Sequence, residues 1–173
     1  MEVFIIAAIT ADGFIARSEN DRSFDWTSPE DKQFYLRQIK RADAIIMGRK
    51  SFATISKYPK GSRWIIYTSD PNSFTNPSPK VITASGTNQD PVQVIKQLKS
   101  EGRQTVAVGG GASIYTQFLQ AGVVNKLYLT VEPIIFGQGV KLFAEPIKNV
   151  KLQLEKVTQL SGQTLQLTYQ VIP

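Results

Sequence analysis

Three short segments of the chain combine residue types that suit the binding of an anion or the transfer of a proton. The first is VAVGGGASIY (106–115), in which an apolar run ends at three glycines and a helical pattern follows. Small residues between a strand and a helix let a phosphate reach the backbone N–H groups at the helix start. The segment lacks the third glycine of a GxGxxG fingerprint, so taken alone it is equally consistent with a tight turn.

The second segment is MGRKS (47–51), which again lies between an apolar run and a helical pattern. Arg49 and Lys50 beside a helix N-terminus suit a phosphomonoester, although a solvated helix start would show the same pattern. Residues 37–63 contain eight basic residues and one acidic residue, a local charge of +7 in a chain whose net charge is +6. This concentration favours an anionic partner. Two such junctions together favour a dinucleotide that carries an extra phosphate.

The third segment is Ser28-Pro29-Glu30-Asp31, which has the pattern of a helix start. Serine is a common cap, proline suits the first helical position, and an acid three residues after the cap completes a capping box. The local pattern therefore favours a capping role for Asp31. The alternative is an acid that faces a pocket, where it holds a substrate amino group or supplies a proton. The two roles are compatible, because the first helical turn can aim a carboxylate towards a pocket.

Histidine and cysteine are both absent from the 173 residues, and this absence limits the available chemistry. Disulfides, the usual zinc sites and Ser-His or Cys-His nucleophile systems are excluded, and we expect no metal site. Proton transfer then falls to a carboxylate, lysine, tyrosine or water, and a cofactor would carry the difficult chemistry. A chain without cysteine is consistent with a reducing cytoplasm. The apolar run 1–9 is short and contains Glu2, so we interpret it as a buried strand rather than a signal peptide or membrane span.

Apolar runs and helical patterns alternate along the chain, and these elements must position the three segments. The composition, with 42% hydrophobic and 20% charged residues, suits one domain over residues 1–173. The predicted strands cover 2–10, 42–48, 63–68, 80–83, 105–110 and 126–135, and the predicted helices 29–41, 49–56, 90–102 and 113–121. The tail alternates with period two on both sides of Ser161-Gly162, which predicts an antiparallel hairpin.

This order predicts an α/β fold with a mostly parallel central sheet, helices on both faces and a C-terminal antiparallel hairpin. In such sheets, ligands bind beyond the carboxyl ends of the strands. The strand ends at Thr10, Gly48, Thr68 and Gly109 are therefore expected to share one edge of the sheet. That edge is where we expect the chemistry.

Six segments in order resemble the dihydrofolate reductase superfamily: IIAAITADGFIA, DWTSPED, ADAIIMGRKSF, WIIYTS, VGGGASIYTQFL and KLYLTVEPIIFGQG. They look closest to the branch that includes the reductase domain of the bacterial riboflavin-biosynthesis deaminase–reductase. The resemblance runs from about residue 3 to residue 143. It implies a three-layer, dihydrofolate-reductase-like fold and an NADPH-dependent oxidoreductase, for which the absence of cysteine predicts a cytoplasmic location.

The resemblance also implies which residues contact NADPH and which contact a substrate. The positions it assigns to the cofactor are Ala8, Ile15, Arg49, Lys50, Ser51, Thr68, Ser69, Gly110, Gly111, Ala112, Ser113, Ile114 and Tyr115, and the two strand-to-helix junctions add Gly48 and Gly109. The positions it assigns to the substrate are Trp26, Asp31, Tyr35 and Thr130. The implied reaction is hydride transfer to a C=N or masked carbonyl carbon, in which Asp31 orients a pyrimidine or pterin and assists protonation.

The preferred function is a stand-alone reductase related to the 5-amino-6-(5-phosphoribosylamino)uracil reductases of riboflavin biosynthesis. A dihydrofolate reductase is the first alternative. Neither substrate pattern is complete, because Ser62 stands where folate-reducing members carry an arginine, and no Asp-Asp-Pro segment follows Phe52. A basic nucleic-acid-binding or nucleotide-binding protein without catalysis is the alternative from another class, although no aromatic-basic motif supports nucleic-acid binding. We expect a small-molecule substrate, no nucleic-acid or membrane partner, and a possible homodimer that uses the segment after Pro133.

Overall fold

An eight-stranded mixed sheet forms the centre of the computed structural model, which describes residues 1–172. The strands are Glu2–Thr10 (β1), Phe14–Ala16 (β2), Ala44–Gly48 (β3), Arg63–Tyr67 (β4), Thr83–Thr87 (β5), Thr105–Val108 (β6), Lys126–Glu132 (β7), Val140–Lys141 (β8), Lys151–Gln159 (β9) and Leu165–Ile172 (β10). The sheet order is β5-β4-β3-β6-β1-β7-β10-β9, and β2 pairs with β8 separately. In this order the strands from β5 to β7 are parallel, and β10 is antiparallel to both β7 and β9. The predicted mostly parallel sheet with a C-terminal antiparallel hairpin is confirmed.

Four α-helices, Pro29–Arg41 (α1), Arg49–Ala53 (α2), Pro91–Ser100 (α3) and Ala112–Gln120 (α4), occur in the described part of the chain. Successive residues of β1 point to opposite faces of the sheet, so Phe4 belongs to one hydrophobic cluster and Ile5 to another. The Phe4 cluster contains side chains of α1 and α2, whereas the Ile5 cluster contains side chains of α3 and α4. Helices therefore cover both faces, as predicted. None of the described helices is long and apolar enough to cross a membrane.

Two details of the predicted elements are corrected by the structure. The strand predicted over 80–83 is wrong, because the observed strand is Thr83–Thr87 at the edge of the sheet. The apolar pair before it suggested a strand, but Ile82 is buried in the core just before strand pairing begins. The strand predicted over 126–135 ends at Glu132, since Pro133 has no N–H to continue the ladder. The short pair β2 and β8 was not predicted, because segments of two or three residues carry no readable period.

The carboxyl ends of β3 and β6 lie side by side and bring two of the three sequence segments together. The N–H of Gly48 donates to the carbonyl of Gly110 at 2.7 Å, and the N–H of Gly109 donates to the carbonyl of Ile46 at 2.9 Å. β3 continues directly into α2, and β6 is joined to α4 by the three glycines 109–111. The two strand-to-helix junctions therefore form one continuous wall.

Candidate active site

A cavity of about 830 Å³ opens at the carboxyl ends of β1, β3, β4 and β6. This volume lies within the range of small-molecule and cofactor pockets. The lining includes every position that the sequence assigned to a cofactor, from Ala8 and Ile15 to Gly109–Tyr115. Asp31 and Tyr35 also line it, whereas Trp26 and Thr130 do not. The structure thus brings seventeen of the nineteen candidate positions to one cavity wall.

One end of the cavity, the glycine-rich half, consists of 48–51, 68–69 and 109–113. A Cβ added at Gly111 would lie 2.9 Å from Ser51 Oγ, and one at Gly109 would lie 2.8 Å from Met47 Cε. Gly110 has a φ of +118°, which side-chain-bearing residues rarely adopt, and its peptide bond to Gly111 is cis. The glycines thus allow the chain to turn and the two junctions to approach closely. The turn leads straight into α4, whose first N–H groups have no acceptor within the helix.

The glycine-rich half also carries exposed basic side chains. Arg49 is held towards the loop after β4, where its Nη1 donates to Ser73 Oγ at 3.1 Å. Lys50 Nζ forms an ion pair with Glu19, and both side chains are largely exposed. Because α2 has only five residues, its dipole adds little, and the attraction for an anion comes from the Arg49 and Lys50 charges. Together with the N–H groups of α4, these cations can hold phosphate groups.

A second group of residues, the acidic half, consists of Asp31 and Tyr35, which line the cavity, and of Thr130 and Glu132, which act on Asp31 from outside the lining. Asp31 is 5% exposed, and burial raises the pKa of its carboxyl to about 6. The Thr130 hydroxyl opposes this rise in pKa, and the negative charge of Glu132 adds to it. Burial, followed by the charge of Asp31, raises the pKa of Tyr35, which keeps that phenol protonated. A carboxyl group that titrates near neutrality can both hold and release a proton during a reaction.

The capping interaction expected of Asp31 is made by another residue. Ser28 Oγ accepts a hydrogen bond from the Asp31 N–H at 3.2 Å, so Ser28 is the cap, as predicted. The reciprocal bond of a capping box would run from the Ser28 N–H to the Asp31 carboxylate. Instead, the Ser28 N–H donates to Glu132 Oε1 at 2.8 Å. The preference for capping as the role of Asp31 is therefore corrected, because Glu132 occupies that donor.

Glu132 is a residue of the site that the sequence reasoning missed. It is 3% exposed at the end of β7 and contributes to the electrostatics of Asp31. The sequence did contain one indication: an acidic residue lies inside a strand predicted to be buried. Burial of an unpaired charge is unfavourable, so such a residue needs hydrogen-bond partners. Its partners, Ser28 and Thr164, are distant in the sequence, so no local pattern connects them to it.

Two of the candidate substrate positions, Thr130 and Trp26, lie outside the cavity lining. Thr130 on β7 is 1% exposed, and a hydrogen bond from its hydroxyl lowers the pKa of Asp31. Trp26 packs edge-on against Phe136, with ring centroids 5.1 Å apart, and its buried Nε1 has no hydrogen-bond partner among residues 1–172. Thr130 therefore acts on Asp31 without lining the cavity, whereas the packing partner of Trp26 is Phe136.

The loop 17–25 contributes a wall of the cavity that was not predicted, through Ser18, Glu19, Asp21, Arg22, Ser23 and Phe24. Arg22 Nη2 donates to the carbonyl of Thr54 at 3.0 Å, and Glu19 pairs with Lys50, so the loop contacts α2 and the residue after it. Phe24 packs edge-on against Tyr35, with ring centroids 5.5 Å apart. The loop thus borders both halves of the cavity. Within residues 1–172, no group of three or more His, Cys, Asp or Glu side chains is placed to hold a metal ion.

Comparison with protein families gives a match to the family described as the RibD C-terminal domain, over residues 2–166. Two full-length relatives are uncharacterized proteins of Bacillus subtilis strain 168. YwjB is 27% identical over 94% of this chain and 93% of its own length, and YyaP is 24% identical over 96% and 93%. The riboflavin biosynthesis protein RibD of Corynebacterium ammoniagenes is 24% identical over 82% of this chain but only 46% of its own length.

Solved structures show the same fold at low sequence identity. A putative riboflavin biosynthesis protein from Shewanella sp. PV-4 superposes with a TM-score of 0.82 at 18% identity, covering 100% of both chains. A pyrimidine reductase-like protein from Corynebacterium diphtheriae gives 0.78 at 17% identity, over 99% of this chain and 92% of the other. The Thermotoga maritima diaminohydroxyphosphoribosylaminopyrimidine deaminase/5-amino-6-(5-phosphoribosylamino)uracil reductase gives 0.79 at 15% identity, over 99% of this chain and 56% of the other.

Proposed function

Because the chain belongs to the RibD C-terminal domain family, we propose that it is an NADPH-dependent reductase of a pyrimidine- or pterin-type substrate. The family match confirms the resemblance seen in the sequence. One observation carries the proposal: a single cavity combines a basic, glycine-rich half with a buried carboxyl group whose pKa is about 6. The first half suits a phosphate-bearing cofactor, and the second suits a substrate that must be oriented and protonated.

The glycine-rich half would hold NADPH through its phosphates. Arg49, with Thr68 and Ser69 across the same wall, would bind the 2′-phosphate that distinguishes NADPH from NADH. The N–H groups at the start of α4 would bind the pyrophosphate. Ala8 and Ile15 would pack near the nicotinamide. When bound, the cofactor supplies the hydride, and the protein contributes positioning and electrostatics.

Asp31 would orient the substrate ring and assist its protonation. A carboxyl group in this position can pair with adjacent amino and imino groups of a pyrimidine or pterin through two hydrogen bonds. Since its pKa is raised to about 6, a substantial fraction of Asp31 stays protonated near that pH and can deliver a proton to the substrate, directly or through water. The Tyr35 ring, which packs against Phe24, would form one side of the space for the flat ring of the substrate.

The surroundings of Ser62 favour an aminouracil over dihydrofolate as the substrate. Ser62 Oγ donates to the carbonyl of Pro59 at 2.6 Å and accepts from Trp64 Nε1 at 2.7 Å, so it has a structural role. The adjacent Arg63 forms an ion pair with Glu101 at 3.3 Å. Neither side chain is therefore available to replace the arginine that clamps the glutamate carboxylate in folate-reducing relatives. We propose a substrate related to 5-amino-6-(5-phosphoribosylamino)uracil.

An NADPH-oxidation assay with a small panel of substrates tests this function. The panel contains the phosphoribosylaminouracil, its dephosphorylated form and dihydrofolate, each measured with NADPH and with NADH. We expect oxidation of NADPH with an aminouracil, little with dihydrofolate, and loss of turnover in Asp31→Asn. Tight NADPH binding without oxidation across the panel would instead identify a nucleotide-binding protein without this activity.

A further inference from the structure

We propose that Glu132 is a positioning residue of the active site, which caps the start of α1 in place of Asp31 and so leaves the Asp31 carboxylate facing the cavity. This inference rests on the proposed function, because it assigns Glu132 a role in the same reaction. Glu132 does not line the cavity, so it acts through Asp31 rather than on the substrate.

The hydrogen bonds of Glu132 tie together three distant parts of the chain. Its Oε1 accepts from the Ser28 N–H at 2.8 Å and from Ser28 Oγ at 2.7 Å, and its Oε2 accepts from Thr164 Oγ1 at 3.0 Å. All three are accepted hydrogen bonds, the pattern of an ionised carboxylate. They join the end of β7 to the cap of α1 and to the residue before β10. The helix that carries Asp31 is thereby fixed to the sheet at its first turn.

This arrangement is a capping box whose acid comes from another element. In a capping box the acid at the third helical position reaches back to the cap N–H. Asp31 holds that position, but its side chain would have to turn towards Ser28 to make the bond. The Ser28 N–H already donates to Glu132, so Asp31 would form no hydrogen bond with it in that orientation. Asp31 instead lines the cavity, as does Tyr35.

The charge of Glu132 gives it a second effect on Asp31. The ionisable groups that face Asp31 are Glu132 from β7, Lys32 and Tyr35 from α1, and Tyr115 from α4. Burial raises the pKa of both tyrosines, so they stay neutral, and Lys32 favours the ionised form of Asp31. Burial is the main cause of the raised Asp31 pKa, and Glu132 supplies the negative charge that adds to it.

Two variants separate the charge of Glu132 from its anchoring role. Glu132→Gln keeps the shape, since its amide oxygen can accept from Ser28 and its NH₂ group can donate to Thr164 Oγ1. Glu132→Leu removes both the charge and the hydrogen bonds. Glu30→Gln is the matched control, because it removes an equal charge from the first turn of α1 without touching the network.

The readout is the titration of the Asp31 carboxyl, followed by carbon NMR in the free protein, together with the pH profile of turnover. We expect Glu132→Gln to lower the Asp31 pKa by roughly half a unit to one unit and Glu30→Gln to change it far less. Glu132→Leu should reduce turnover at least about tenfold with NADPH affinity unchanged, as for a misplaced acid. If Asp31 titrates in Glu132→Leu as it does in Glu132→Gln, the inference is overturned, because loss of the hydrogen bonds to Ser28 would then leave the Asp31 carboxyl in place. The titration needs no substrate, so it stands even if no reductase activity is found.

Discussion

In the glycine-rich half of the cavity each functional segment is continuous in the sequence, whereas the acidic half is assembled from residues far apart. The junctions 47–51 and 106–115 each contain a strand end, its turn and a helix start. In the acidic half, Ser28 meets Glu132 across 104 residues, and Glu132 meets Thr164 across 32. A local motif can therefore reveal the first half, but only the folded sheet creates the second.

The two halves also differ in exposure, and this predicts different responses to substitution. Lys50 and Glu19 are 78% and 72% exposed in their side chains, so water screens their charges. Asp31 and Glu132 are 5% and 3% exposed, and their charges act at short range in a poorly polarisable medium. We expect substitutions in the acidic half to change catalysis and stability strongly. Substitutions in the glycine-rich half should mainly change cofactor affinity.

The largest effect is expected from Asp31→Asn. Loss of the proton-handling group should lower turnover by about 10²–10⁴-fold and leave the dissociation constant for NADPH nearly unchanged. Stopped-flow turnover and a fluorescence titration of NADPH measure the two quantities. Asp25→Asn, in the exposed turn before α1, is the control and should keep normal turnover. If Asp31→Asn also retains turnover, the acidic half has no role in proton transfer.

A second prediction concerns the pH dependence of stability. The folded-state pKa of Asp31, about 6, exceeds the unfolded value of about 3.9, so the folded protein binds the proton more tightly in this interval. Its stability therefore falls as the pH rises through that window. An asparagine does not titrate, so Asp31→Asn does not show this loss. The free energy of unfolding of the variant minus that of the wild type should therefore be about 2–3 kcal/mol larger at pH 7.5 than at pH 4. Urea unfolding at both pH values measures it, and an equal difference at both would contradict the buried, protonated acid.

In the glycine-rich half, Arg49→Ala should weaken NADPH binding by roughly tenfold to a hundredfold, the cost of one charged hydrogen bond. NADH binding should change little, because NADH lacks the 2′-phosphate. Lys57→Ala, an exposed cation of the same basic segment that does not line the cavity, is the matched control. Calorimetric titration with both cofactors provides the comparison. Equal weakening of NADPH and NADH would remove Arg49 from 2′-phosphate recognition.

The smallest effect is expected from Glu19→Gln, which releases Lys50 from its ion pair. Because both side chains are exposed, NADPH affinity should rise by at most about threefold. The gain should disappear in 0.5 M salt, where the charges are screened. A gain above tenfold would show that the loop 17–25 competes with the cofactor much more strongly than a surface ion pair can.

Sequence patterns therefore captured the sheet, the helices and the glycine-rich half, because each rests on local periodicity or a contiguous junction. The start of α1 at Pro29 followed from Ser28 and its neighbours, and the close approach of Gly48 and Gly110 followed from adjacent parallel strands. The residue that accepts the hydrogen bond of the Ser28 N–H could not be predicted from these patterns. The capping rule names the acid three residues on, whereas the fold supplies Glu132 from a strand more than a hundred residues away.

The central claim is that the cavity holds the phosphates of NADPH in its glycine-rich half and leaves the nicotinamide beside Asp31. A crystal structure with NADP⁺ at saturating concentration tests this most directly. We predict density for the 2′-phosphate next to Arg49, the pyrophosphate at the start of α4, and the nicotinamide beside Ala8 and Ile15. Density for the dinucleotide outside this cavity, or an empty cavity at saturation, would contradict the account.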